Sequence, residues 1–125
     1  MNTTSTTEPA ARVSDAPPDA PASLPPVTYT DEARIAAFVA LYQLGEYVEP
    51  TIQLAREHFP RARGISVYVD GYPGTDDERL MIDAAMGPWT TPAEALRQCN
   101  ALIRAWSAAT PTPVREWICF SQDMR

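Results

Sequence analysis

The chain has 125 residues, with 13 prolines, ten arginines, no lysine and 16 acidic side chains, for a net charge of −6. That length accommodates one domain, and the absence of any run of about 18 apolar residues excludes a membrane-spanning helix. Two cysteines do not make a disulfide framework, and an acidic chain without lysine is a poor match for a nucleic-acid backbone.

The chain opens on a Thr/Ala/Pro-rich stretch that holds six of the prolines: Pro9, Pro17, Pro18, Pro21, Pro25 and Pro26. With Val13 and Leu24 almost its only larger aliphatics, it has too little apolar surface to offset the entropy of ordering. Residues 1–27 are therefore expected to be a disordered, partly polyproline-like tail. It lacks the basic start and apolar stretch of a secretory signal and the arginine excess of a transit peptide, so a cytoplasmic protein is expected. The missing lysine reads as a codon effect of a GC-rich genome.

Residues 28–125 are expected to form one small domain. Thr28 or Thr30 can cap a first helix, with Asp31 and Glu32 at its positive end. Ile35, Phe38, Val39 and Tyr42 recur at helical spacing, and Gly45 is a natural stop. The apolar series continues through Val48, Ile52, Ala55 and Phe59. Pro50 removes a backbone hydrogen bond and crowds the preceding turn, so two helices, or one interrupted between Gly45 and Pro50, are expected to end before Pro60.

Ile65, Val67 and Val69 alternate with Ser66, Tyr68 and Asp70, which is the pattern of a half-buried strand. Gly71 to Asp77 is turn chemistry. Leu80, Ile82, Ala84 and Met86 alternate in a second strand, completing a hairpin with a long loop. Thr91-Pro92-Ala93-Glu94 combines a capping threonine, a proline at the first helical position and a glutamate able to reach back to the cap. The helix that follows carries Leu96, Cys99, Leu102, Ile103 and Trp106 on one face and stops at Pro111 and Pro113. Trp117 to Ser121 forms a third strand.

The expected architecture is α+β, a two-layer sandwich in the order α-α-β-β-α-β with helices on one face of a three-stranded sheet. Its inner face holds Ile65, Val67, Val69, Leu80, Ile82, Ala84, Ile118 and Phe120. The last strand lies beside either the first or the second. The opposite face then shows Tyr68, Met81, Ala85, Trp117 and Cys119 among Ser66, Asp70, Arg79 and Asp83. Such apolar content on a sheet face points to an interface with a protein partner or a second copy; the alternatives are a different register for the last strand and a face covered by the tail or a loop.

The search for chemistry yields little. His58, the single histidine, ends a helix, and Cys99 and Cys119 lie 20 residues apart without CxxC spacing, so no metal or cofactor is expected. Cys119 or Cys99 with His58 and an acid is a conceivable nucleophile and base, but no signature sequence surrounds them and each sits in an apolar periodic stretch. Asp70, Asp76, Asp77 and Glu78 bracket the hairpin loop and could together bind a divalent cation, but their spacing is unlike an EF-hand and a solvated loop of ordinary turn residues is the expectation. Arg56, Arg61 and Arg63 cluster where they complement a helix dipole. No GxGxxG, P-loop or GxSxG occurs.

From Ile65 onward the chain resembles a loose group of short bacterial α+β proteins. The residues that carry this are Ile65 to Asp70, Asp77 to Asp83, Thr91 to Leu96, Ile103 to Trp106 and Ile118 to Asp123. The resemblance covers about 60 residues and implies a component of a two-gene module of toxin–antitoxin type, with no catalytic residues to carry over. The resulting expectation is a small non-enzymatic cytosolic protein-interaction or regulatory protein. Its alternatives are an antitoxin-like partner of a small toxin and a small enzyme using Cys119 or the loop carboxylates.

Overall fold

A computed structural model describes residues 24–124. The expected tail lies outside the described residues as far as residue 23. Its last four residues belong to the folded body. Pro25 is buried, and its carbonyl accepts a 2.8 Å hydrogen bond from Nε of Arg56. Ile65 N–H donates to the carbonyl of Pro26, and the chain continues directly into a strand, β1 (Val27–Tyr29).

The architecture is α+β with a mixed four-stranded sheet, not the three-stranded one expected. The order is β1, α1 (Glu32–Leu41), α2 (Gly45–His58), β2 (Gly64–Asp70), β3 (Arg79–Ala85), α3 (Pro92–Ala109), α4 (Thr112–Arg115) and β4 (Ile118–Asp123). The sheet runs β1-β2-β3-β4. β1 pairs parallel with β2, β2 antiparallel with β3, and β3 parallel with β4. The chain is thus two strand–helix–helix–strand units joined by the β2–β3 hairpin. The open choice of neighbour for the last strand falls on β3.

β1 escapes the sequence pattern because three residues are too few to show alternation. Val, Thr and Tyr are nevertheless good strand formers, and proline is tolerated at the start of an edge strand. Its formation also moves the first helix cap. Thr30 N–H bonds the carbonyl of Val67 as part of the ladder, so Asp31 caps α1 in place of Thr28 or Thr30. Asp31 sits at φ 57° and accepts from Arg34 N–H. Asp tolerates that left-handed conformation better than most residues.

The break between α1 and α2 falls earlier than Gly45. Leu44 N–H donates to the carbonyl of Val39 and Gln43 N–H to that of Ala40, with Gln43 at φ 57°. This is the Schellman closure of a helix, built on glutamine where glycine is usual. Gly45 consequently opens α2, and Pro50 lies within it. Pro50 and Glu46, whose carbonyl loses its donor, are both exposed, so the interruption falls on the solvent side and the helix continues to His58. α3 begins as its sequence indicates, with Thr91 Oγ1 accepting from Glu94 N–H. Pro111 ends α3, and Pro113 sits in the unanticipated short helix α4.

One sheet face carries the helical layer. α1 packs over β2, α2 over β3, and α2 against α3. Ile65, Val67, Val69, Leu80, Ile82, Ala84 and Ile118 are buried against Phe38, Leu44, Ile52, Phe59, Leu102 and Trp106. Each large apolar side chain removed from water in this way contributes about 1.5–3 kcal/mol. Phe120 shares the inner face but is only half-buried, meeting the Trp106 ring edge-on at 4.9 Å. The indole Nε1 of Trp106 donates to Thr51 Oγ1 at 3.1 Å, joining α3 to α2 inside the core. No helix among the described residues is long and apolar enough to cross a membrane.

Candidate interaction face of the sheet

Alternation along the strands sends every second side chain away from the helices. On β2 and β3 the inward positions are buried, while their outward neighbours keep solvent contact. The register arranges the outward side chains in rows across the sheet. Tyr68, Met81 and Cys119 form one row over three strands. On one side of it lies the polar row Thr28, Ser66, Asp83 and Ser121, and on the other the pair Asp70 and Arg79. Ala85 stands further along, between Gly64 and Asp123. The face is an apolar strip in a polar frame that holds Asp70, Asp83 and Arg79.

Of the five residues expected to share this face, four do so. Trp117 does not, which corrects the assignment made from alternation. It precedes β4 in a turn, where strand alternation has no force. Its ring stacks on Tyr42 at 3.9 Å and meets Phe38 edge-on at 6.2 Å, both residues of the helical side. Arg79 links it to the sheet face, with the guanidinium carbon 5.1 Å from the indole centroid.

Polar contacts fix the surroundings of the strip. Ser121 Oγ donates to Asp83 Oδ1 at 2.6 Å, a pairing invisible in the sequence because it depends on β4 lying beside β3. The Tyr68 phenol is pushed above its ordinary pKa, first by burial and then by the carboxylates of Asp83 and Asp70. It therefore stays a neutral hydrogen-bond donor at neutral pH. Cys119 is exposed, whereas the half-buried Cys99 on α3 has its thiol pKa raised by burial.

The geometry separates the groups that a small hydrolase would need together. His58 ends α2 in the helical layer, while Cys119 and the Asp83–Ser121 pair lie on the other side of the sheet. Nucleophile and base must be within hydrogen-bond reach. Of the loop carboxylates, Glu78 is turned inward. It pairs with Arg34 at 3.1 Å and accepts from Gly74 N–H. Among the described residues no group of three His, Cys, Asp or Glu side chains is placed to hold a metal ion.

One further concavity, an open groove of about 400 Å³, lies between β1, α1 and α2. Ile35, Val39 and Val48 form its apolar floor, and Tyr29, Glu32 and Glu49 line its rim. Burial, then the Glu49 carboxylate, raises the Tyr29 phenol pKa, with Arg56 opposing. Compared with known proteins, the chain matches no family model, no curated protein and no solved structure.

Proposed function

We propose that this protein works in the cytosol by binding another protein through the uncovered sheet face, without catalysing a reaction itself. The observation that carries this reading is the Tyr68–Met81–Cys119 row, an apolar strip that no helix covers, half-buried at Tyr68 and Met81, exposed at Cys119 and framed by Asp70, Asp83 and Arg79. Interfaces combine such an apolar centre with a polar rim. The net charge of −6 favours a basic partner. His58 is separated from Cys119 by the sheet, and Cys99, on the helical side with His58, has its thiol pushed up by burial, which disfavours the thiolate; both favour binding over nucleophilic catalysis. The resemblance to components of two-gene modules supports a specific form of this reading, an antitoxin-like role toward a small basic toxin.

The test is co-expression of the protein with the products of its adjacent reading frames. A stoichiometric complex formed by the wild type and lost in Met81→Glu, with unchanged circular dichroism, is the expected result. Absence of any complex, or a complex indifferent to Met81→Glu and Tyr68→Ala, overturns the assignment of this face. If the neighbour is toxic and this protein does not relieve the toxicity, the antitoxin form is excluded.

A further inference from the structure

The last strand ends the sheet with an edge of its own. In the parallel β3–β4 ladder, Leu80 N–H bonds the carbonyl of Trp117 and Met86 N–H that of Asp123. With the observed register, the odd-numbered residues of β4 direct their backbone groups to β3. The N–H and C=O groups of Ile118, Phe120 and Gln122 therefore point the other way, along the free edge. Ile118 is 3% exposed, with α4 packed beside the strand start, whereas Phe120 and Gln122 keep solvent contact.

The helix above this edge has an unpartnered flank beside it. On α3, the half-buried flank of Gln98, Ala101 and Ala105 lies opposite Leu96 and Ile103, which are 61% and 38% exposed. α2 packs against α3, so the half-buried flank is the one that α2 covers. α2 lies over β3, and α3 lies over β4, where Trp106 meets Phe120 and Gln122 Nε2 bonds the Ala95 carbonyl. The Leu96–Ile103 flank thus points outward, over the free edge. Natural edge strands are usually protected by charge, proline or a bulge. Residues 118–122 carry neither charge nor proline, in a chain of net charge −6.

We infer that the β4 edge and the Leu96–Ile103 flank of α3 form a two-fold interface with a second copy of this chain. The occupant follows from self-complementarity. An antiparallel β4–β4 pair centred on Ser121 sets Phe120 opposite Gln122 of the second copy, and Gln122 opposite its Phe120. These two pairs exchange four backbone hydrogen bonds and use only the open half of the edge, clear of α4. The same axis brings the two α3 flanks together on one side of the sheet. On the other side it aligns the two Asp83–Ser121 rows into a single row across eight strands. The residues that pair, Phe120 to Gln122, and the facing Leu96 and Ile103 carry no charge, so two acidic chains meet where repulsion is low. This inference does not rest on the proposed partner face, which stays open on the dimer.

The experiment is sedimentation equilibrium on the full chain at about 100 μM, where a functional dimer is populated. The expected mass is twice the 13.8 kDa of the monomer. Leu96→Glu with Ile103→Glu, both on the surface, is expected to return the monomer mass with unchanged circular dichroism. Gln122→Pro removes an outward N–H without touching the β3 ladder and is expected to do the same. Ser121→Cys in a Cys119→Ser background is expected to cross-link two chains on mild oxidation, because position 121 faces itself across the axis. A wild type that stays monomeric overturns the inference. So does a dimer that survives these changes and dissociates in Met81→Glu, which transfers self-association to the sheet face and leaves the β4 edge unused.

Discussion

The guanidinium of Arg34 in α1 holds the carboxylate of Glu78 at 3.1 Å, across 44 residues of chain. The same Nη2 donates to the carbonyl of Gly71 at 2.6 Å, and Glu78 Oε1 accepts from Gly74 N–H. Both ends of the hairpin loop are thereby clamped to the first helix. Gly71 makes the clamp possible. It has φ 107°, and a Cβ there would lie 2.6 Å from the carbonyl oxygen of Asp77.

Breaking the clamp is expected to destabilise the fold. Glu78 is 7% exposed, so its charge has little water to fall back on. Glu78→Gln keeps the shape and removes the ion pair. A loss of about 2 kcal/mol in urea unfolding is expected, less than for a fully buried pair because the Arg34 side chain is 29% exposed. An unchanged midpoint shows that the loop is held by its turns alone.

Gln43 occupies a left-handed position that closes α1. Gln43→Gly removes the Cβ strain and keeps the Schellman hydrogen bonds. A gain of about 1 kcal/mol is expected, read as a raised thermal midpoint. A lowered midpoint means that the Gln43 side chain contributes more than its conformation costs.

The Trp106–Thr51 hydrogen bond is buried at both ends, at 5% and 2% exposure. Thr51→Val preserves volume and leaves the indole N–H without its acceptor. The expected cost is about 2 kcal/mol, the usual penalty for an orphaned buried donor. Thr51→Ser restores the acceptor and is expected to recover part of it. Equal stability of the valine and serine variants removes the hydrogen bond from the account.

Alkaline pH is expected to weaken the fold. Burial raises the Cys99 thiol, and burial with neighbouring carboxylates raises the Tyr68 and Tyr29 phenols. All three are neutral acids whose anions the folded state disfavours. The unfolded chain then loses protons first as pH rises, so the contribution of these groups to stability is constant below the ordinary thiol range, about pH 8.5, and is lost as pH rises above it. The thermal midpoint should follow that profile, and Cys99→Ala with Tyr68→Phe should flatten it. A slope unchanged in the double variant locates the alkaline loss elsewhere. In native-state alkylation at pH 8, Cys119 should react before Cys99, whose burial limits both access and thiolate formation.

Much of this molecule is written locally. The Thr91-Pro92 start of α3, the β2–β3 hairpin and the seven buried residues of the inner sheet face follow from caps, turn residues and alternation. Tyr68 and Met81 were legible as sharing a face for the same reason, and the β2–β3 register made them neighbours. Cys119 joined them only through the β3–β4 register. Trp117 was misplaced because its turn breaks the alternation on which its assignment rested.

By itself, then, the sequence determined the α+β class, the helix and strand periods and one face of the core, because these depend on residues a few positions apart. Tertiary structure decided the rest. Val27 became a strand because Ile65, 38 residues on, offered it a ladder. β4 chose β3, Gly45 opened a helix rather than closing one, and Arg34 found Glu78. Each of these depends on which distant segments bury their apolar surface together, and backbone and charge partners are settled by that packing.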